Sequence, residues 1–186
     1  SSFSTSFTHV TGESVFITDL PAGERLLSGV VLYSPHAHAR ILKLDATEAR
    51  STPGTFAVVT AEDIPGANQM GPVIHDEPCL AASEVTFVGQ AVALVAAETE
   101  EIAREAAKKI VIEYEPLPAL TSLADAMEAG NLLAPPRMIR RGTPEEIMKT
   151  APHVIRGELS TGAQEHWYLE TQSALAVPGE GNETVV

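Results

Sequence analysis

The sequence predicts an α+β fold with a mixed sheet, and three observations support this prediction. A strand, a helix and a strand follow one another twice, over residues 40–60 and over residues 91–114. The earlier strands are joined by short turns, which is more typical of an α+β fold than of an open, doubly wound sheet. Hydrophobic residues make up 44% of the 186 residues, so the chain can bury a core of its own.

The clearest pattern lies in residues 87–118, FVGQAVALVAAETEEIAREAAKKIVIEYEPLP. Small and β-branched apolar residues occupy both faces of residues 91–97, which predicts a strand that is buried on both sides. Thr99 is the expected N-cap of the next helix, because acidic residues follow it in the first turn and lysines stand in the last. Residues 111–114 are predicted to return as a strand, and the prolines after them to end its pairing.

Before this segment, short apolar runs between turn residues predict strands, namely residues 14–18, 25–33, 40–44 and 55–60. Asp45 is the expected cap of a short helix over residues 46–51, and residues 60–63 begin a single helical turn. Residues 67–83 contain two more prolines and are predicted to be a loop or ribbon.

After residue 118 the predicted elements are shorter. Ser122 is the expected cap of a helical turn that ends at Gly130, and a connection with prolines and arginines follows. A second short helix is predicted over residues 144–150, because a threonine cap, a proline and two acidic residues begin it. Residues 154–160 and 168–177 are predicted to form a hairpin around GAQEHW, and a third strand to begin at residue 184.

Charge and cysteine content exclude several classes of function. Acidic residues outnumber basic ones 25 to 12, which gives a net charge of −13 and argues against a nucleic-acid partner. The single cysteine, Cys79, cannot form an internal disulfide or a multi-cysteine metal site, which fits a reducing cytoplasm. No membrane span or signal peptide is expected.

The chain lacks an initiator Met and stops within a predicted strand, so we expect it to be a piece of a longer protein.

Several segments carry a family resemblance, and they occur in this order: VTGESVFITDLP, SPHAHARILKLD, PGTFAVVTAEDIPGAN, EVTFVGQAVALVAAE, AAKKIVIEYEPLPAL and GELSTGAQEHWYLETQSALAVP. Together they resemble the start of the molybdenum-binding subunit of the xanthine dehydrogenase and aldehyde oxidase family. The resemblance covers nearly all of the chain from about residue 10.

The resemblance implies an α/β hammerhead domain over residues 10–120, a linker over 121–140 and the truncated start of the molybdopterin-binding domain over 141–186. It implies a molybdenum hydroxylase of xanthine dehydrogenase type, which oxidises purines, xanthine to urate, in the complete enzyme. Iron–sulfur clusters and FAD are expected on other modules. The expected partners are these modules and the rest of the molybdopterin domain, with a homodimer left open.

In the family the catalytic residues and glycine-rich cofactor loops belong downstream of residue 186. No catalytic residue is therefore expected in this chain, and alone it is expected to bind no cofactor and to be inactive. Two alternatives remain, an aldehyde oxidase or carbon monoxide dehydrogenase large subunit, and a stand-alone, non-catalytic assembly or binding module of the same fold. The segment QEHWYLE favours xanthine dehydrogenase.

The candidate cofactor-binding residues are Gln164, Glu165, His166 and Gln90. The segment GAQEHWYLE gathers an amide, two carboxylates, an imidazole and two aromatic rings, and the resemblance places it beside the molybdenum pocket. For Glu165 and Glu170, direct chemistry is weighed against buried hydrogen bonding that shapes the pocket. Because Gly89 and Gln90 lack the other glycines of a phosphate loop, a tight turn that places Gln90 near the neighbouring domain is favoured over direct contact.

Other polar clusters favour plain structural roles. His36 and His38 stand two residues apart, but no third ligand has a supporting spacing, so no metal site is expected. The resemblance implies instead a corner in which His38 hydrogen-bonds the backbone. His75 and Cys79 are expected to lie in a solvated loop without the partners that a nucleophile requires.

Overall fold

The structure is a computed structural model of the 186-residue chain, and it describes residues 4–21, 23, 25–168, 172–181 and 183–186. The chain divides into two compact units. One consists of Gly23–Pro135 and the other of Ser1–Ala22 together with Pro136–Val186. Among the helices that the structure describes, none has both the length and the apolar character needed to span a membrane.

The described helices are α1 (Ser4–Thr11), α2 (Thr47–Arg50), α3 (Glu100–Ala107), α4 (Leu123–Glu128) and α5 (Pro144–Thr150). The described strands are β1 (Ser28–Tyr33), β2 (Ala39–Asp45), β3 (Thr55–Thr60), β4 (Glu84–Val85), β5 (Ala91–Ala97), β6 (Val111–Pro116), β7 (Val177–Pro178) and β8 (Thr184–Val185). Two 3₁₀ turns, Ile17–Asp19 and Ala61–Asp63, complete the set in the described part of the chain.

Two three-stranded sheets, with the strand orders β1-β5-β3 and β4-β2-β6, make up the larger unit. Every strand pair that the structure describes is antiparallel, so the α+β class is confirmed but the expected mixed sheet is wrong. The reason lies in the two helical connections. Each carries the chain from one sheet to the other, β2 to β3 through α2 and β5 to β6 through α3, so neither returns to a parallel neighbour.

Strand β5 is the centre of the larger unit. Val92 faces one cluster of buried residues, which contains Ala39, Ala81 and Val85. The next residue, Ala93, faces the opposite cluster, where β5 packs against the buried alanines of α3. Because those alanines have short side chains, α3 can lie close to the sheet. The prediction of a strand covered on both faces is therefore confirmed at its first half, although Leu94 is partly exposed.

The caps predicted at Thr99 and Ser122 are confirmed, whereas at α2 the N-cap position is occupied by Ala46 and not by the predicted Asp45. The Thr99 hydroxyl accepts a hydrogen bond from the backbone N–H of Ile102 at 3.3 Å, which caps α3. The carboxylate of Asp45 accepts the N–H of Thr47 at 3.0 Å at the start of α2. Helix α4 ends before Gly130, which has a φ of 66°.

Two strand predictions are wrong, one at residues 14–18 and one at the end of β6. Residues 14–18 do not form a strand, because Asp19 accepts the N–H of Phe16 at 2.9 Å and closes the turn Ile17–Asp19 instead. The pairing of β6 does not stop before its proline, since Pro116 lies opposite Ala39. Strand β6 is an edge strand, where a residue without an N–H is tolerated.

The smaller unit differs most from the sequence prediction. Helix α5 begins and ends where expected, although Thr143 makes no capping hydrogen bond with its side chain. The predicted hairpin is wrong, since the described residues between 152 and 168 contain no strand, and residues 169–171 lie outside the described residues. The strand pair that forms is β7 with β8, so the strand expected from residue 184 is confirmed. A two-stranded ribbon needs further strands or a helix to cover one face.

Candidate functional site

Gln90 closes a tight turn between β4 and β5. The residue is 6% exposed, and its Oε1 accepts the N–H of Thr86 at 2.7 Å. Its backbone oxygen accepts the N–H of Ser34 at 2.8 Å, while the Ser34 oxygen accepts the N–H of Gly89 at 2.8 Å. Gly89 has a φ of 91°, which a residue with a side chain rarely adopts. The side-chain oxygen of Gln90 therefore holds the turn in shape.

The corner before β2 brings His38 to two oxygen atoms. Its Nδ1 lies 2.6 Å from the carbonyl oxygen of Pro118, and its Nε2 lies 2.8 Å from Oε1 of Glu84. The hydrogen bond to the Pro118 carbonyl, followed by that to Glu84, raises the pKa of His38 above its usual 6.5. The implied backbone hydrogen bond of His38 is thus present in the structure.

Tyr114 and His36 pack together beside this corner, with ring centroids 4.7 Å apart. The Tyr114 hydroxyl is buried, and among the described residues it finds no hydrogen-bond partner of ordinary geometry. Burial raises the pKa of Tyr114, and the nearby Ser34 hydroxyl opposes this effect in part. Instead, the Ser34 hydroxyl donates a hydrogen bond to the carbonyl oxygen of His36 and accepts one from the N–H of His36.

The other three predicted site residues, Gln164, Glu165 and His166, are neighbours on an exposed segment of the smaller unit. The Glu165 carboxylate accepts the N–H of His166 at 3.0 Å, and the His166 ring stacks on Tyr168 with centroids 5.5 Å apart. Trp167 has a φ of 51° and is 87% exposed, so the backbone turns here and the indole faces solvent. Glu170 lies outside the described residues.

These residues differ in how well they suit molybdopterin. An exposed carboxamide such as that of Gln164 offers both donors and an acceptor, which suits the mixed edge of a pterin ring. The negative charge of Glu165 does not suit a phosphate group. The side-chain oxygen of Gln90 is already engaged in its turn. The exposed segment therefore fits the pterin end of the cofactor, and cofactor contact by any of the four residues stays a prediction.

The structure also places the other polar clusters that the sequence singles out. Within the described residues, no group of three or more His, Cys, Asp or Glu side chains could hold a metal ion. His75 is exposed and Cys79 is half-buried, in the loop where the sequence places them. An open groove in the smaller unit is lined by residues other than the predicted ones, namely Glu145, Met148, Lys149, Val154 and Arg156.

The sequence did not reveal the partners that fix these features. Glu84 is 46 residues from His38, and Pro118 is 80 residues from it. No local spacing rule links residues so far apart. The glycine at position 89 indicates a turn. It does not indicate that backbone hydrogen bonds with Ser34 hold this turn in place.

Family models match both parts of the chain. A model described as "Aldehyde oxidase and xanthine dehydrogenase, a/b hammerhead domain" matches residues 11–118. A second, described as "Molybdopterin cofactor-binding domain", matches residues 127–186. The two matches follow one another along the sequence without overlap.

Named relatives agree with these matches. A xanthine dehydrogenase of Dictyostelium discoideum is 41% identical over 177 residues, which are 95% of this chain and 13% of the relative. Aldehyde oxidase 4 of Cavia porcellus is 42% identical over 180 residues, which are 96% of this chain and 13% of the relative. The chain thus spans about 13% of the length of these relatives.

A solved structure shares the fold. The aldehyde oxidoreductase from Desulfovibrio desulfuricans superposes with a TM-score of 0.62 and 31% sequence identity. The superposition covers 67% of this chain and 15% of that chain.

Proposed function

The chain belongs to the aldehyde oxidase and xanthine dehydrogenase family, and from this premise we propose that it is the N-terminal part of a molybdenum hydroxylase subunit of xanthine dehydrogenase type. The hammerhead match over residues 11–118 is the observation that carries the proposal. The family resemblance and the hammerhead fold predicted from the sequence are confirmed.

We assign residues 10–120 to the hammerhead domain, 121–140 to a linker and 141–186 to the start of the molybdopterin-binding domain. The second family match, over residues 127–186, supports the last assignment. It begins at residue 127, inside the proposed linker and near the end of α4, so α5 is the first helix that lies wholly within it.

In this proposal the chain positions the cofactor and carries out no chemistry of its own. Molybdopterin with its molybdenum would supply the redox chemistry of hydroxylation, and iron–sulfur and FAD modules would remove the electrons. Gln164 would hydrogen-bond the pterin with its exposed carboxamide, next to Glu165 and His166. Gln90 would act through the shape of its turn, which holds Phe87 and Val88 on the surface of the larger unit.

The proposed substrate is a purine, with xanthine oxidised to urate. The segment QEHWYLE favours this substrate over an aldehyde or carbon monoxide. Relatives named xanthine dehydrogenase and aldehyde oxidase are 41% and 42% identical to the chain, so overall identity favours neither substrate.

The test uses the longest reading frame that contains this chain, purified together with its cofactors. We expect urate formation from xanthine at a higher kcat/KM than the oxidation of an aromatic aldehyde. The reverse preference would assign the protein to the aldehyde oxidases, and absence of molybdenum from the purified protein would contradict the enzyme proposal itself.

The alternative of a non-catalytic module rests on a specific observation, which is that in the described part of the chain the buried apolar residues of both core clusters lie within residues 23–135. A reading frame that ends at residue 186 would support the module. The 186-residue chain by itself is expected to contain no molybdenum and to form no urate, which metal analysis and a urate assay would measure.

A further inference from the structure

His38 contacts two hydrogen-bond acceptors at the same time. Its Nδ1 faces the carbonyl oxygen of Pro118 at 2.6 Å, and its Nε2 faces the carboxylate of Glu84 at 2.8 Å. Neither a carbonyl nor a carboxylate can donate a proton, so both contacts are hydrogen bonds only when both ring nitrogens carry one. A neutral imidazole has a single N–H and would turn a lone pair toward one of the two oxygens. The two contacts therefore fit a protonated ring, in which both nitrogens donate.

The two acceptors belong to different parts of the sheet β4-β2-β6. Glu84 begins β4, and Pro118 follows the end of β6. His38 stands immediately before β2, the strand between them. The backbone of His38 adds a third link, since its carbonyl oxygen accepts the N–H of Leu117 at 3.0 Å. The residue thus connects both edge strands at the point where the chain leaves the sheet.

We propose that His38 is a proton-dependent clamp, which in its imidazolium form fastens residues 117–118 to β4 and releases them when the ring loses a proton. This inference does not depend on the substrate or on the proposed enzyme activity.

The charges around the ring support the protonated form. Glu84 is the carboxylate in contact with it. Arg40 lies opposite Glu84 in the β2–β4 register, but its guanidinium pairs with Glu115 on β6. His36, two residues before the clamp, packs against a tyrosine ring instead. Among the described residues, the carboxylate in contact with His38 pairs with no arginine, and it therefore favours the imidazolium.

The direction of the pH effect follows from the shift of the pKa. The Pro118 carbonyl and Glu84 raise the pKa of His38 in the folded chain above the usual 6.5. A group with a raised pKa stabilises the fold fully below its unfolded value and loses that contribution as pH rises through the folded value. The clamp is therefore closed in mildly acidic solution and opens above the pKa of the folded state.

The experiment is a pH titration of the histidine ring ¹⁵N resonances in the 186-residue chain. We expect His38 to have both nitrogens protonated at low pH and a midpoint above 6.5. In Glu84→Gln the midpoint should move to lower pH, because the carboxylate is lost. Glu77→Gln is the matched control, since this exposed loop glutamate makes no hydrogen bond or ion pair with His38, and it should leave the midpoint in place.

Amide exchange provides a second test, because a contact that does not depend on pH would show no step in protection. The protection of the Leu117 N–H, corrected for its intrinsic rate, should fall as pH passes the His38 midpoint. The Ala103 N–H, which donates to the backbone carbonyl oxygen of Thr99 at 3.0 Å, should show no such step. A His38 midpoint at or below 6.5, or Leu117 protection without a step, would overturn the clamp. Both measurements use the unaltered chain, so they decide even if a variant fails to fold.

Discussion

Apolar residues of the larger unit's central strand and apolar residues of the smaller unit lie in opposite environments. In the larger unit Val92 and Val95 are 0% and 1% exposed, and both lie on the central strand β5. In the smaller unit Ile155 and Leu159 are 96% and 88% exposed. Full burial of such a side chain stabilises a fold by roughly 1.5 to 3 kcal/mol, and these two residues contribute almost none of that.

The difference shows that an apolar segment in the sequence does not reveal whether the folded chain provides neighbours that bury it. Strand β5 receives neighbours on both faces, from α3 on one side and from the second sheet on the other. Residues 154–168 also contain apolar residues, among them Ile155 and Leu159, but in the described part of the chain they have no sheet to join. We therefore expect the larger unit to carry the cooperative unfolding transition.

The largest expected effect comes from placing a charge in each region. Val92→Asp should lower the free energy of unfolding by roughly 3 to 5 kcal/mol, because the carboxylate would be buried without a partner. Ile155→Asp is the matched control and should change it by less than about 0.5 kcal/mol, since the side chain is exposed. Urea unfolding followed by circular dichroism measures both. Equal losses would mean that β5 is not the core strand.

A smaller effect is expected at two glycines with similar backbones. Gly54 has a φ of 82°, and an added Cβ would lie 2.9 Å from Cδ1 of Ile102. That methyl group can rotate away, so the backbone conformation sets most of the cost, and Gly54→Ala should lose about 1 to 3 kcal/mol.

Gly142 in the smaller unit has a φ of 75° and no atom within 4 Å of an added Cβ. Because the larger unit is expected to carry the main unfolding transition, Gly142→Ala should shift the calorimetric Tm less than Gly54→Ala. For a domain of this size 1 kcal/mol corresponds to about 4 to 8 °C. A larger Tm loss in Gly142→Ala would show that the smaller unit takes part in the main transition.

The smallest expected effect compares two threonines that precede helices. Thr99 accepts a hydrogen bond from the N–H of Ile102, whereas Thr143 makes no capping bond with its side chain. Thr99→Ala should cost about 1 kcal/mol and Thr143→Ala less than about half of that. Denaturant midpoints separate the two, and a larger loss in Thr143→Ala would place the important cap at α5.

The accuracy of the sequence predictions depends on how local the governing interactions are. The cap at Thr99 and the turn at Gly130 involve residues within one or two helical turns, and both are confirmed. The hairpin over residues 154–177 was wrong because a strand pattern does not reveal whether a covering surface is present.

The candidate site was harder to predict than the fold. His38 was expected to bond the backbone, and it does, but its contact with Glu84 joins residues 46 positions apart. Gly89 predicts the tight turn at Gln90, and the turn is present, but a glycine does not indicate the hydrogen bond between Gln90 and Thr86. Partners brought together by sheet pairing become visible only when the strand order is known.

Amide hydrogen exchange on the 186-residue chain, with its mass measured by light scattering in the same buffer, tests the contrast between the two regions most directly. We predict slow exchange across β5, limited by global unfolding, and fast exchange across residues 154–168, which contain no helix or strand. Slower exchange in residues 154–168 than in β5, in a monomeric sample, would contradict the account.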